Sequence, residues 1–318
     1  MGLTHPRCAV IGAANIDIGG FPERDAVPGD SNPGRVTLSA GGVGRNIACN
    51  LARLGVETHL VAALGEDDFA AMIRADSARA GVRLDLAFSF ADAPSSAYLF
   101  IADARGDMAL AVNDMAVCGR LTPDALSTRL DALNAMDAVL IDANLSTQAL
   151  AWIASNVKPP LIADAVSAAK ARRLRPALGR LWAIKPNALE AEALTGIPVT
   201  DMESASRAAR ALVDAGVRRA CVTLGERGAC CADADRTLTL PGRPLKMVSA
   251  TGAGDAFTAA LAWAALRGLD LRESAMAGLA AASIAVESLE TVNPAMSEAA
   301  LRARMAALQD GAVPEAGQ

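Results

Sequence analysis

The segment Ala250-Thr251-Gly252-Ala253-Gly254-Asp255-Ala256-Phe257 sets a glycine-rich turn directly against a long alanine-rich helical run, Phe257 to Leu266, with a carboxylate at the junction. The first turn of a helix carries backbone N–H groups without intrahelical partners, and the dipole adds partial positive charge there. Small residues let a phosphate come close to those groups, so Gly252, Ala253 and Gly254 read as an anion cradle with Thr251 at its edge. Asp255 would repel an anion. Its presence makes sense if it takes a proton from a hydroxyl that attacks a phosphate. The alternative is an aspartate serving as an ordinary helix cap.

Other residue pairs suggest complementary chemistry. Asn15 and Asp17 close an apolar run, two residues apart, so both face one side. A carboxylate there accepts hydrogen bonds from two vicinal hydroxyls, the common grip on a sugar. In Gly41-Gly42-Val43-Gly44-Arg45-Asn46, Gly42 lets a ligand approach the backbone and Asn46, one turn on, reaches a ring hydroxyl. Asn187 and Glu190, at i and i+3, share a helix face. That pair suits Mg²⁺, which keeps several waters and needs few protein oxygens; an Asn cap beside a solvated Glu is the alternative. Lys185, at a strand exit before Pro186, takes no firm role.

The elements that position these residues alternate. Strands are expected at Cys8–Ile18, Thr58–Leu64, Ala138–Asp142, Leu161–Ala165, Leu181–Lys185 and Ala220–Leu224. Helices are expected at Gly44–Leu54, Asp67–Ala80, Thr147–Ser155, Ala168–Leu178 and Ser204–Ala215, with two more at about Gly254–Arg267 and Leu271–Leu289. Such βα alternation predicts an α/β fold, a doubly wound, mainly parallel sheet covered by helices. Ligands of such sheets bind beyond the carboxyl ends of the strands. Two segments, 19–39 and 95–113, break the pattern; β-like stretches at Arg35–Ser39, Ala97–Ala102 and Met108–Asn113 suggest a small β-lid.

The three motifs Gly41–Ala48, Lys185–Glu190 and Thr251–Phe257 occur in the order seen in the PfkB (ribokinase-like) family of sugar and nucleoside kinases, which this chain resembles over nearly its whole length. The resemblance implies one kinase domain over residues 1–310 and a lid that pairs between subunits of a homodimer. It also implies ATP and Mg²⁺ as cofactors. On this pattern Asp255 is the base, Asp17 binds the sugar, and Glu190 with Asn187 serves the metal, through water. Thr223 and Gly225, in Thr223-Leu224-Gly225-Glu226-Arg227-Gly228, meet the nucleotide phosphates, and Asn293 lines the adenine pocket. Many members carry an acidic residue two before the signature threonine to help bind a monovalent cation. Ser249 stands there, which puts a potassium requirement in doubt.

Three details resemble the pseudouridine-phosphorylating members of the family: Gly29-Asp30-Ser31-Asn32-Pro33-Gly34, the Gly-Val-Gly-Arg-Asn run at 42–46, and Asn113-Asp114-Met115. Ser31, Asn32 and Asn113 offer groups that read the polar edge of a uracil. With aromatics at 3%, hydrogen bonds are the expected means of recognition; a plain turn at 31–34 is the alternative. The resemblance implies transfer to the 5′-hydroxyl of a nucleoside, with another ribo-sugar or nucleoside as the second choice. A non-catalytic sensor on the same fold would not need Asp255 together with Gly252, Gly254, Asn187 and Glu190. A nicotinamide dehydrogenase fits less well, since no G-x-G-x-x-G follows the first strand.

Composition bounds the remaining classes. The chain has 318 residues, 52% hydrophobic, with a formal net charge of −5 and no basic cluster, which argues against a nucleic-acid partner. No apolar run reaches the roughly 18 residues that span a bilayer, and no signal-peptide core is expected after Met1. Six cysteines without C-x-x-C spacing, and only His5 and His59, argue against zinc and disulfide chemistry. The expectation is a cytoplasmic enzyme with reduced thiols and a disordered tail over 311–318.

Overall fold

The computed structural model describes residues 6–103, 105, 107–242 and 247–309; His5 and the 311–318 tail lie outside them. In chain order the strands are β1 (Arg7–Ile11), β2 (Asn15–Pro22), β3 (Gly34–Gly41), β4 (Glu57–Val61), β5 (Ala63–Gly65), β6 (Val82–Arg83), β7 (Phe88–Phe90), β8 (Ala97–Ala102), β9 (Met108–Asp114), β10 (Ala138–Asp142), β11 (Leu161–Asp164), β12 (Leu181–Lys185), β13 (Arg219–Thr223), β14 (Gly228–Ala232) and β15 (Thr237–Pro241). The helices are α1 (Val43–Arg53), α2 (Asp68–Arg79), α3 (Pro123–Ser127), α4 (Leu130–Asn134), α5 (Thr147–Asn156), α6 (Ala168–Ala171), α7 (Ala188–Thr195), α8 (Met202–Asp214), α9 (Ala253–Leu266), α10 (Leu271–Ala285) and α11 (Glu298–Gln309).

The main sheet runs β15-β14-β13-β12-β11-β10-β1-β4-β6. It is parallel from β6 to β13 and antiparallel over β13–β14–β15. The doubly wound α/β expectation is met. The pleat sends alternate residues of β1 into different cores: Ala9 and Ile11 into the one that holds α5 and α8, Cys8 and Val10 into the one that holds α1, α9 and α10. Strands buried on both faces read as continuous apolar runs, which is why β10, β11 and β12 are found from sequence with almost the observed limits.

Where sequence and structure differ, the causes are local. The Cys8–Ile18 run is two strands. At Gly12 a side chain would overlap the Asp142 carboxylate, and the chain leaves the main sheet through Ala13 and Ala14, so Asn15 and Asp17 belong to β2 of a second sheet. Thr58–Leu64 likewise divides into β4 and β5. Ala168–Leu178 is one turn of α-helix followed by a 3₁₀ stretch, Arg172–Arg180, with Pro176 inside it. The antiparallel β14 and β15 and the helix α11 have no counterpart in the sequence reading.

The second sheet, β3-β2-β8-β9, gathers the two segments that broke the alternation. Its registry sets Ser39 opposite Asp17, Asp17 opposite Tyr98, and Tyr98 opposite Asn113, so these four share one face. Two residues outward, Phe100 lies over Gly19 and meets Phe21 edge-on at 5.7 Å. The opposite face is apolar and carries Val36, Leu38, Leu99, Leu110 and Val112, all exposed.

Candidate active site

Strands β10, β11 and β12 end in Asp142, Asp164 and Lys185, which stand in register side by side. All three are buried. Lys185 Nζ lies 3.0 Å from Asp164 Oδ2, which also accepts a 2.7 Å hydrogen bond from Thr258 Oγ1 of α9. Burial works against the Lys185 ammonium, but Asp164, then Glu190 and Asp255, outweigh it and hold its pKa above the ordinary lysine value. Asp142 is turned to the lid root: its Oδ2 accepts from Ala13 N at 2.8 Å and its Oδ1 from Asn144 N at 2.9 Å. Burial raises the Asp142 pKa, against those two backbone donors.

Helix α9 enters above this row. It begins on Gly252, at φ 82°, where any side chain would overlap the Thr291 carbonyl oxygen. No side chain caps its first amides. A side chain on Gly254 would start 2.8 Å from Lys185 Nζ, so the first turn of α9 lies directly over the buried ammonium. Free amides and a cation together form a setting suited to a phosphate. Asp255 is the third residue of α9, and its Oδ2 accepts a 2.9 Å hydrogen bond from Asn46 Nδ2. Burial and then Asp164 push its pKa up to about 7, against the Asn46 hydrogen bond and Lys185, with Asp142 adding a smaller push upward. A carboxylate with its pKa near neutrality is matched to general-base work.

Helix α1 arrives from the other side, beginning on Gly42 at φ 97°, again with no side-chain cap. A side chain on Gly42 would press on Ala13 O at 2.5 Å. Asn46 is one turn in. The sequence assigns it to a ring hydroxyl; the structure turns its NH₂ group to Asp255 instead. Asn15 Nδ2 donates to Asp17 Oδ1 at 2.7 Å, leaving Asp17 Oδ2 beside Gly41. Burial raises the Asp17 pKa, opposed by Asn15 and the Arg45 charge.

Asn187 and Glu190 form a complete capping box on α7. Asn187 N and Nδ2 each donate to the Glu190 carboxylate at 2.8 Å, and Glu190 N donates to Asn187 Oδ1 at 3.0 Å. Glu190 is 3% exposed, so it is not the solvated residue of the alternative reading. Burial raises its pKa against the nearby Lys185. Thr223 pairs with Asn187 across a single parallel bridge, and Gly225 follows at φ 60° with open space around it. Thr251 is exposed and donates its N–H to Ser249 Oγ at 3.2 Å.

Three predicted site residues stand apart. Ser31 and Asn32 lie in the exposed tip beyond the Pro22–Gly34 pair, the length of β2, roughly 23 Å, from Asn15. The Asn32 amide is taken up by Val27 and Asp30 within that turn, so the plain turn is what the structure shows. The Asn293 amide donates to Ile284 O at 2.5 Å and accepts from Ala295 N at 2.9 Å, which uses both of its ends in tying α10 to the following turn. Asn113 does reach the Asp17 face.

Sequence reasoning misses Asp142, Asp164, Thr258 and Tyr98. The first two had a signal: Leu140-Ile141-Asp142 and Ile162-Ala163-Asp164 each end an apolar strand on a carboxylate at the ligand-binding end of the sheet. The sequence favours hydrogen bonds over an aromatic sandwich for recognition. Aromatics are few, but Phe21, Tyr98 and Phe100 are collected on the Asp17 face.

The profile described as pfkB family carbohydrate kinase matches residues 5–298. The chain belongs to this family. The pseudouridine kinase of Escherichia coli K12 is 34% identical over 291 residues, which is 91% of this chain and 93% of that protein. The guanosine-inosine kinase of Exiguobacterium acetylicum is 28% identical, covering 89% and 95%. Among solved structures, a carbohydrate kinase from Agrobacterium tumefaciens superposes with a TM-score of 0.84 at 32% identity, covering 95% of this chain and 97% of that one. Arabidopsis thaliana ribokinase, solved with ribose and ATP, gives 0.86 at 25% identity, covering 95% and 99%. The chain is a sugar or nucleoside kinase and therefore a phosphotransferase. Among the described residues no helix is long and apolar enough to cross a membrane.

Proposed function

We propose that the enzyme transfers the γ-phosphoryl group of ATP to the 5′-hydroxyl of a nucleoside, with pseudouridine as the preferred acceptor. The observation that carries the nucleoside reading is the Asp17 face of the lid sheet. A ribose held at Asp17 has Tyr98 and Asn113 beside it and Phe100 further out, a surface longer than a free pentose needs and suited to a flat, polar-edged ring. The relation to a pseudouridine kinase supports the same choice.

In this reading Asp255 takes the proton of the attacking hydroxyl, and Asn46 steadies the carboxylate that does so. The amides at Gly252, Ala253, Gly254 and Asp255, with the Lys185 ammonium below, take up charge on the transferring group. Thr251, Thr223 and Gly225 flank the nucleotide, and Asn293 shapes its pocket through the turn it holds. The buried Glu190 carboxylate, with Asn187, fits a water-mediated Mg²⁺ site. When bound, that ion neutralises phosphate charge. The exposed apolar face of the lid, Val36, Leu38, Leu99, Leu110 and Val112, is the surface on which two copies pair. The enzyme works in the cytoplasm.

Pseudouridine differs from uridine by an additional ring N–H donor. The Asn113 carbonyl is the acceptor for it; with uridine that acceptor goes unpaired, at roughly 1–3 kcal/mol or about 5–150-fold in discrimination. ATP consumption measured with pseudouridine, uridine, adenosine, ribose and fructose tests this. The expected order of kcat/KM puts pseudouridine above uridine and both well above ribose. Adenosine or fructose as best acceptor would remove the pseudouridine assignment and leave the kinase.

A further inference from the structure

Beyond the residues already assigned, α1 carries a buried cation next to Asn46. Arg45 is 5% exposed. Its Nη1 donates to Asn46 Oδ1 at 3.0 Å and to Ala40 O, near the end of β3, at 2.9 Å. Its Nη2 is paired with Asp76 of α2, and its backbone N–H is held by Ala13 O at 3.0 Å. The guanidinium is thus fixed from three elements and aimed at one end of the Asn46 side chain.

We propose that Arg45 is a positioning residue for phosphoryl transfer, locking the Asn46 amide so that its NH₂ group must face the Asp255 carboxylate. The inference rests on the reading of Asp255 as the base. A carboxamide has one accepting end and one donating end, and a guanidinium accepts nothing. With Arg45 in place, only Asn46 Oδ1 can face it, so Nδ2 is left for Asp255, as the 2.9 Å contact shows. A donor facing a carboxylate favours its charged form, the form that accepts a proton. Without Arg45 the amide is free to turn. An oxygen presented to Asp255 favours the protonated, inactive carboxyl.

Other groups also bear on Asp255: Asp164 from β11, Asp142 from β10 and Lys185 from β12. None of them touches Arg45, so substituting Arg45 leaves their contribution in place. The Ala40 contact gives the arrangement a second property: the residue that orients the amide also holds the lid strand just before the Gly41-Gly42 turn. A purely structural role, joining α1 to α2 through Asp76, would affect melting and not the titration of the base.

The test is the pH dependence of kcat for wild type, Arg45→Met, Asn46→Ala and the double variant, using whichever of pseudouridine, uridine, adenosine, ribose or fructose the wild type turns over best. In Arg45→Met the midpoint of the acid limb is expected to rise by about one pH unit, with kcat at pH 7 down roughly fivefold. Because Arg45 acts through Asn46, the double variant should be no slower than Asn46→Ala within about twofold. An unmoved midpoint, or losses that multiply in the double variant, would overturn the proposal. Should Arg45→Met fail to melt cooperatively, Asp76→Asn frees the guanidinium on one side and is read in the same way; a smaller upward shift supports the lock and no shift ends it. Asp255→Asn separates the two layers: normal turnover there removes the base and this proposal with it, whereas an unmoved midpoint in Arg45→Met removes only the lock.

Discussion

Two sets of helix beginnings are treated oppositely in this molecule. Among the described residues, α2, α3, α5, α7, α8, α10 and α11 each start with a side chain accepting from the first turn: Asp67, Thr122, Ser146, Asn187, Asp201, Asp270 and Ser297. Helices α1 and α9 instead start on Gly42 and Gly252, both at positive φ and without a side-chain cap. Each of the seven capped ends gains stability from a local partner. The two glycine-started ends meet at Asp255, and no side chain takes the first amides of α9. The short α4 and α6 also lack a side-chain cap, but among the helices of eight residues or more only the two that start on glycine beside Asp255 do without one.

The contrast is tested most severely at Asp255. Asp255→Asn keeps the size and the Asn46 contact but removes the proton acceptor, and turnover is expected to fall about 10²–10⁴-fold; equilibrium binding of ATP should persist. Near-normal turnover would make Asp255 a structural residue like those at the capped ends. Next is Gly252→Ala, which puts a methyl group against Thr291 O at a backbone angle that alanine resists. Displacing the α9 amides should cost roughly 10²-fold in kcat, and a variant that melts normally yet stays active would show that the cradle is not used. Glu190→Gln probes the one capped helix that also borders the site. Half-maximal activity should need roughly tenfold more Mg²⁺, with nucleoside KM little changed; an unaltered titration would return Glu190 to capping alone. The smallest effect belongs to Ser146→Ala on α5, whose hydroxyl is engaged by its own helix start. A loss of about 1 kcal/mol in stability is expected, read by chemical denaturation, with kcat unchanged. A kinetic defect there would blur the division between the two sets.

Much of this was legible in sequence. The parallel strands were, because two-sided burial writes itself as unbroken apolar runs, and so was the Asp255 turn, because only glycine satisfies its backbone. The lid strands Ala97–Ala102 and Met108–Asn113 were found nearly to the residue, each being a short β-rich run beside a turn. What escaped was what depends on neighbours distant in sequence. Asp164 matters because Lys185 and Thr258 come to it from other elements, and Arg45 matters because Asn46 stands between it and a residue 209 positions further on. The tip residues Ser31 and Asn32 mislead for the same reason: their chemistry suits a base edge, but strand length carries them away from Asp17. Cys8–Ile18 looked like one strand since nothing in its hydrophobicity marks Gly12, whose role is set by the Asp142 carboxylate pressed against it.

The three-residue link between β1 and β2 has a mechanical consequence. Ala13 is gripped on both sides, its N–H by Asp142 and its carbonyl by Arg45 N, so the lid is a cantilever built into the wall of the main sheet. Any bending grows with distance from that clamp. The clamped end, with Asn15 and Asp17, moves with the core, and the outer end carrying Phe100 and Phe21 takes up the displacement. On the proposed reading, Asp17 and the base-reading Asn113 lie level with one another across the sheet near the clamp, and only the aromatic pair Phe100 and Phe21 lies further out along the beam. If the proposed reaction holds, changes near its free end would retune the outer aromatic contact while the reacting hydroxyl keeps its position against Asp255.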